Sequence, residues 1–262
     1  MLGLSAYGSS SSSEDEGEGA ATRPDAADLM PAKRPRLSSP RSPPPLPPPP
    51  LDEAADPVEA LPDGRVRSFA HVEGDYAVHV YIPVRSDARL AACLRKCVAG
   101  LESSGAVHAV APAELHLSLS RTAPLRRPQV DAFPDALRVA LRSCTATRAS
   151  LDVVSELCND ERNRYFAAAE LPSRRPGYAE VCRMIDAVDQ VMERYGLPRF
   201  YEERRVHFSF AWALAPLLPP AGAAGWTAAV GSLASCTLEL DTVACRLGER
   251  VTSFKLAAPR RS

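Results

Sequence analysis

Several features that mark common classes of protein are missing from this chain of 262 residues. Its longest apolar stretches are interrupted by proline, glycine or charge, so we expect neither a membrane span nor a secretory signal. The seven cysteines form no C-x-x-C pair and have no histidines at zinc spacing, which argues against a structural zinc motif. An odd number of thiols without an export signal predicts a reducing intracellular compartment.

The motifs of three common enzyme mechanisms are missing as well. The sequence has no G-x-S-x-G elbow of serine hydrolases, no G-x-x-x-x-G-K-[ST] phosphate loop and no H-E-x-x-H zinc motif. Histidine is scarce, with five in the chain, at positions 71, 79, 108, 116 and 207. A metal-free mechanism that uses two of these histidines is therefore the best enzymatic interpretation.

The N-terminal quarter of the chain differs in composition from the rest. Residues 1–65 hold 13 of the 25 prolines, a serine run and a proline tract, with six basic and eleven acidic side chains. Because few large apolar residues are available to offset the entropy of ordering, we predict a disordered tail over 1–64, with polyproline II character in the tract. Its basic cluster PAKRPRL is typical of nuclear import signals and of nucleic-acid patches, and the alternative is a solvated group of charges without a function.

Residues 65–262 are long enough to bury a sizeable core and carry a mild positive net charge, which permits an anionic partner. Strands are predicted over 76–84, near 107, and over 114–120, 149–158, 164–171, 205–212, 236–247 and 250–256. Helices are predicted over 87–101, 129–144, 178–195 and 223–234. We therefore predict an α+β fold of two pseudo-symmetric lobes, whose antiparallel sheets flank a central cleft.

Each predicted lobe contains one strand with a His-x-Ser motif, in ELHLSLS and RVHFSFAW. Side chains on a strand alternate between its two faces. The alternation places His116, Ser118 and Ser120 together on one face, opposite three leucines. In the second motif it places His207, Ser209 and Ala211 together, opposite Val206, Phe208 and Phe210. His79 is predicted to be a strand residue with a structural partner.

Two such strands that face each other across a cleft would present two imidazoles and two hydroxyls to one phosphate group. A neutral imidazole can act as a base and a protonated one as an acid near neutral pH. Each serine hydroxyl that donates to a non-bridging oxygen can stabilise the transition state by about 3 kcal/mol.

The two motifs resemble those of the two-histidine (2H) phosphoesterase superfamily, H-x-[ST]. The segments GDYAVHVYIPV, HLSLSRT and FYEERRVHFSFAW further resemble the U6 snRNA phosphodiesterase family, over about residues 65–257. One departure is H-F-S-F, where small or aliphatic residues are commoner. Both phenylalanines are expected on the core face, so this change should alter packing rather than chemistry.

The resemblance implies a nuclear enzyme that removes 3′-terminal nucleotides, mostly uridines, from single-stranded RNA without a metal or other cofactor. It implies that His116 and His207 are catalytic, that Ser118 and Ser209 hold the phosphate, and that Tyr201 stacks on a base. Ser120, on the same strand face, is a further candidate for substrate binding. We expect a monomer with no membrane association.

The preferred mechanism uses the 2′-hydroxyl of the penultimate nucleotide as the nucleophile, with His207 as base and His116 as acid, although the two roles could be exchanged. Its product is a 2′,3′-cyclic phosphate, which is kept or opened. One alternative is a phosphodiesterase that opens cyclic phosphates on small nucleotides or transfer RNA fragments. Another is a non-catalytic RNA-binding adaptor, whose tail binds partners.

Overall fold

The computed structural model describes residues 74–102, 105–159, 162–220, 223 and 225–259. The predicted tail, its basic cluster and His71 lie outside these residues. The described strands are β1 (Asp75–Pro83), β2 (His108–Ala109), β3 (His116–Ser118), β4 (Ala123–Arg126), β5 (Thr147–Ser150), β6 (Val153–Cys158), β7 (Tyr165–Glu170), β8 (His207–Ala213), β9 (Thr237–Leu240), β10 (Thr242–Leu247) and β11 (Arg250–Lys255). The described α-helices are α1 (Ala88–Ala99), α2 (Phe133–Ala140), α3 (Tyr178–Arg194) and α4 (Trp226–Leu233).

The strands form antiparallel sheets, as expected. The first sheet has the order β11-β10-β1-β3. Strand β3 pairs with the C-terminal end of β1, and β4 pairs with the N-terminal end of β1. The second sheet has the order β2-β8-β7-β6. A two-stranded pair, β5-β9, completes the described part. The prediction of an α+β fold is confirmed.

The two larger sheets are built from the same unit of a strand, a helix and an antiparallel strand. In the first sheet β1 and α1 are followed, after the short strand β2 of the other sheet, by β3, and Pro83 at the end of β1 lies opposite His116. In the second sheet β7 and α3 lead to β8, and Glu170 at the end of β7 lies opposite His207. Each His-x-Ser motif therefore occupies the same place in its lobe, and the predicted pseudo-symmetry is confirmed.

Each helix buries one apolar face in the core. Asp87 caps α1 by accepting a hydrogen bond from the backbone N–H of Leu90, and Leu90, Cys93, Leu94 and Cys97 form the buried face of that helix. Helix α3 buries a longer apolar face around Met184 and Val188. None of the helices among the described residues is long and apolar enough to cross a bilayer.

Two strands predicted as continuous are each interrupted at an aspartate. The segment 149–158 divides into β5 and β6 at Asp152, and the segment 236–247 divides into β9 and β10 at Asp241. Asp152 forms ion pairs with Arg174 and Arg175, while Asp241 pairs with Arg85 and Lys255. Aspartate is depleted in strands, and at both positions the carboxylate forms ion pairs at the point where the strand pairing stops. Each interruption lets one segment contribute to two sheets.

The helix predicted over 129–144 is shorter than expected. Helix α2 covers Phe133–Ala140 and is preceded and followed by short 3-10 turns. Pro134 lies in its first turn, where its fixed φ angle favours the start of a helix and its missing N–H has no cost. Pro134 therefore marks the start of the helix, whereas it lies in the interior of the predicted range 129–144.

Candidate active site

The open faces of the two larger sheets line one cavity of about 800 Å³. His116 and Ser118 reach it from β3, and His207 and Ser209 reach it from β8. All six residues predicted for the site line this cavity: His116, Ser118, Ser120, Tyr201, His207 and Ser209. The structure therefore brings together two motifs whose histidines are 91 positions apart in the sequence.

The alternation of β3 and of the first half of β8 explains this placement. Leu117 and Leu119 are almost completely buried, whereas His116 and Ser118 between them are partly exposed. Phe208 and Phe210 are likewise buried beneath the cavity. The expectation that both phenylalanines of H-F-S-F face the core is confirmed.

Each motif histidine makes the same local hydrogen bond. The Nδ1 atom of His116 lies 2.7 Å from the carbonyl oxygen of Glu114, and Nδ1 of His207 lies 2.6 Å from the carbonyl oxygen of Arg205. A carbonyl oxygen only accepts hydrogen bonds, so Nδ1 must carry the hydrogen in both rings. In the neutral form Nε2 is then the basic nitrogen, and in the charged form Nε2–H is the acid.

The surroundings of His207 favour its neutral form. Burial lowers the pKa of His207 below its ordinary value of 6.5, and the charges of Arg205 and His116 lower it further. The hydrogen bond to the Arg205 carbonyl and the charge of Glu170 raise the pKa and offset part of this effect. Glu170 itself pairs with the Arg205 side chain. A neutral imidazole at pH 7 is suited to accept a proton.

His79 is a residue of this site that sequence reasoning missed. Its Nε2 atom lies 3.0 Å from the Ser118 hydroxyl, which supplies the predicted structural partner, but the ring also lines the cavity. It stacks on Tyr81 and touches His116 edge-on, with ring centroids 5.1 Å and 5.2 Å away. Burial, together with the charges of His116 and Arg246, lowers the pKa of His79 to about 3. His79 is therefore a neutral group that orients Ser118.

The alternation of apolar residues in β1 predicts that His79 lies on the face of the strand away from the core. Val78, Val80 and Ile82 are fully buried, so His79 lies on the opposite face of the strand, which is the face that lines the cavity. The same rule that identified His116 and His207 applies to this strand. The sequence could not show that β1 pairs beside β3.

Ser120 lines the cavity and connects the segment after β3 to strand β1 by a hydrogen bond. Its hydroxyl oxygen accepts a hydrogen bond of 2.9 Å from the backbone N–H of Val80, and the residue is only 2 % exposed. The partly exposed Ser118 is better placed to donate to a ligand. A contact between Ser120 and substrate stays a prediction.

Tyr201 presents an aromatic ring at one end of the cavity. The side chain is 50 % exposed, and the guanidinium carbon of Arg121 lies 4.6 Å from the ring centroid. The neighbouring Phe200 is held by a hydrogen bond of 2.8 Å from its backbone N–H to the carboxylate of Asp189, which is buried in α3. Arg121 directly follows the first motif, so this contact joins the two lobes. The sequence interpretation did not identify Arg121.

The second half of β8 does not follow the predicted alternation. A β-bulge lies where the pairing with β7 passes from Ser209↔Ala168 to Ala211↔Ala167. The extra residue turns Ala211 toward the core, where it is fully buried, so its predicted place beside His207 and Ser209 is wrong. Trp212 instead pairs with Phe166, whose side chain lines the cavity.

The chain is similar to a defined group of known proteins. A family model named HVSL, described as an uncharacterised conserved protein, matches residues 44–255. The chain is 34 % identical to U6 snRNA phosphodiesterase 1 of Drosophila melanogaster, over 81 % of this chain and 83 % of that protein. It is 30 % identical to U6 snRNA phosphodiesterase 1 of Homo sapiens, over 79 % and 78 %.

Solved structures show a weaker likeness. Usb1 of Kluyveromyces marxianus has a TM-score of 0.49 at 14 % identity, covering 69 % of this chain and 98 % of that one. LigT of E. coli in its apo form has a TM-score of 0.47 at 14 % identity, covering 71 % and 99 %. The assignment to a family comes from the sequence matches, which extend over most of the chain and most of each relative. This chain therefore belongs to the HVSL family and, with these relatives, to the family of the U6 snRNA phosphodiesterases.

Proposed function

We propose that this protein is a metal-independent 3′–5′ exoribonuclease that trims the 3′ uridine tail of U6 snRNA. The observation that carries the proposal is the pair of histidines from opposite lobes, which line one cavity with their Nδ1 atoms bound to carbonyl oxygens. The names of the relatives support the choice of RNA substrate, and the positions of the two histidines support an acid–base pair. We further propose that the protein acts as a monomer in the nucleus.

The reaction uses the substrate's own hydroxyl group. Nε2 of neutral His207 removes the proton from the 2′-hydroxyl of the penultimate nucleotide, and that oxygen attacks the neighbouring phosphorus. Nε2–H of protonated His116 gives its proton to the departing 5′-oxygen of the last nucleotide. The products are a shortened RNA with a 2′,3′-cyclic phosphate and one released nucleoside with a free 5′-hydroxyl. The lowered pKa of His207 supports its role as the base.

The remaining side chains bind and orient the substrate. The hydroxyl groups of Ser118 and Ser209 donate to the non-bridging phosphate oxygens, and His79 holds the first of them in place. The exposed ring of Tyr201 stacks on the base of the last nucleotide, which is worth about 1–3 kcal/mol. The serine contacts stabilise the negative charge that develops on the phosphate oxygens, and the stacking contact aligns the RNA for the proton transfers by the two histidines.

The proposal is tested with an oligouridine that has a free 3′-hydroxyl, incubated in excess EDTA. We expect stepwise shortening from the 3′ end, with mass analysis of the products showing a terminal cyclic phosphate or its opened form. A matched oligodeoxythymidine should remain intact because it lacks the attacking hydroxyl. A requirement for added Mg²⁺ or Mn²⁺ would contradict the scheme. Opening of small cyclic phosphates without any shortening would favour the alternative phosphodiesterase, and inactivity on every oligonucleotide would favour the RNA-binding adaptor.

The lowered pKa of His207 predicts the pH dependence of the reaction. A base works in its deprotonated form, so lowering its pKa keeps it active at lower pH. We expect the acid limb of kcat/KM, measured on a uridine dinucleotide, to have its midpoint below 6.5. In Glu170→Gln, which removes a charge that raises the pKa of His207, the limb should move to still lower pH. Movement of the limb to higher pH would be incompatible with His207 as the base.

A further inference from the structure

Three side chains form a stack on the second sheet that the proposed reaction does not use. The rings of His108 and Trp212 are stacked, with centroids 4.1 Å apart and an interplanar angle of 15°. The guanidinium carbon of Arg164 lies 4.6 Å from the centroid of the Trp212 ring. His108 and Arg164 therefore both contact the ring of Trp212. We call Arg164, Trp212 and His108 the aromatic ladder.

The β-bulge in β8 brings the aromatic ladder to the face of the sheet that carries the catalytic residues. Directly opposed residues of antiparallel strands share a face, and the opposed pairs on this face are His207↔Glu170, Ser209↔Ala168 and Trp212↔Phe166. Strand β2 adds His108, which lies opposite Trp212. Without the bulge Trp212 would point into the core.

The aromatic ladder lies just outside the cavity, past the end that is opposite to Tyr201. Tyr201 precedes the first residue of β8, whereas Trp212 is near its last residue. Glu170 and Phe166 are four positions apart on β7, which corresponds to about 14 Å along the strand. Leu157 and Phe166 line the cavity on this side, so the cavity leads toward the ladder. The exposed His108, on the edge strand β2, forms the outer end of the stack.

The chemistry of the ladder is that of a surface for single-stranded nucleic acid. Aromatic rings stack on any base, and a guanidinium group attracts the phosphate backbone and also stacks on bases. Such surfaces bind without strong sequence preference, because every base has an aromatic face. The ladder contains both types of group in one contiguous stack beside the catalytic cavity.

We propose that the aromatic ladder binds nucleotides of the RNA upstream of the scissile phosphate. The inference rests on the proposed function, because the last nucleotide then occupies the Tyr201 end and the body of the RNA has to leave in the other direction. That direction runs from His207 past Ser209 and Phe166 to Trp212. The ladder would hold a substrate longer than the two nucleotides at the reacting bond, and it would not take part in the chemistry.

The test compares a uridine dinucleotide with hexauridylate, both with free 3′-hydroxyls. In Trp212→Leu we expect KM for hexauridylate to rise about tenfold, the effect of losing one stacking surface, with kcat unchanged. Kinetics on the dinucleotide should be unchanged. His108→Ala, which alters an exposed side chain on an edge strand, should show the same selective loss even if Trp212→Leu impairs folding. A loss that is equal on both substrates, or no loss on either, would overturn the proposal.

Arg127→Gln is the matched control for Arg164→Gln. Arg127 also lies near an aromatic ring, 5.9 Å from the centroid of Tyr76, but it borders the first sheet and does not line the cavity. We expect Arg164→Gln to raise KM for hexauridylate and Arg127→Gln to leave it unchanged. Equal effects of the two variants would reduce the role of Arg164 to general charge and count against the ladder.

A direct binding measurement separates this proposal from the proposed function. If the wild-type protein cuts neither substrate, the exonuclease assignment fails, and the affinity for fluorescein-labelled hexauridylate still tests the ladder. Binding about tenfold weaker in Trp212→Leu and clearly weaker in His108→Ala would support it. Unchanged affinity in both variants would overturn it.

Discussion

Replacing either His116 or His207 with alanine is expected to reduce the trimming of oligouridine by a factor of about 10² to 10⁴. Each variant removes the one group that moves a proton on its side of the phosphorus. The double variant should be scarcely slower than either single variant, because the two histidines act as a unit in one step. Both rings are on the open faces of their strands, so the fold should survive their removal.

The measurement is single-turnover cleavage of a uridine dinucleotide, together with thermal unfolding and binding of an uncleavable RNA. His116→Asn and His207→Asn serve as companion variants, because asparagine can keep a polar contact but cannot titrate near pH 7. They should be as inactive as the alanine variants and should still bind RNA. Substantial cleavage by any of the four folded variants would remove the acid–base pair from the mechanism.

A 2′-methoxy group on the penultimate nucleotide is expected to stop cleavage completely. The methoxy oxygen has no proton for His207 to remove, and the attacking group of the proposed reaction is then lost. The rest of the substrate is unchanged, so binding by Tyr201 and the two serines should be retained. This modified RNA should therefore act as a competitive inhibitor of normal trimming.

The control carries the same methoxy group on the last nucleotide. Its 2′-oxygen takes no part in the reaction, so this RNA should be trimmed. Mass analysis of both RNAs after incubation gives the answer. Normal trimming of the penultimate 2′-methoxy RNA would show that water or another external nucleophile attacks the phosphorus, and the mechanism would have to be abandoned while the site could remain.

The local pattern of the sequence was enough to predict the arrangement of each motif. In ELHLSLS and in the first half of RVHFSFAW, alternating leucines or phenylalanines predict a buried face, and the histidine and serine have to lie on the other. The structure has this arrangement, with Leu117 and Phe208 buried. The hydrogen bond from each Nδ1 to the carbonyl two residues earlier is also local to its motif.

Long-range pairing produced the features that sequence reasoning missed. His79 belongs to the site because β1 pairs with β3, which places its ring 3.0 Å from the Ser118 hydroxyl. The interruptions at Asp152 and Asp241 depend on arginine and lysine side chains that come from distant segments. The alternation of hydrophobic residues carries no information about such partners.

The sequence by itself determined which side chains β3 and the first half of β8 expose, because the period of two is a property of the single strand and burial selects one face. Only the tertiary structure decided that the two strands line one cavity and that the pKa of His207 is lowered, since both depend on how the lobes pack. It also decided the position of Trp212. A bulge arises from the pairing of two strands, so one extra residue between Ser209 and Ala211 reverses the alternation that the sequence predicts.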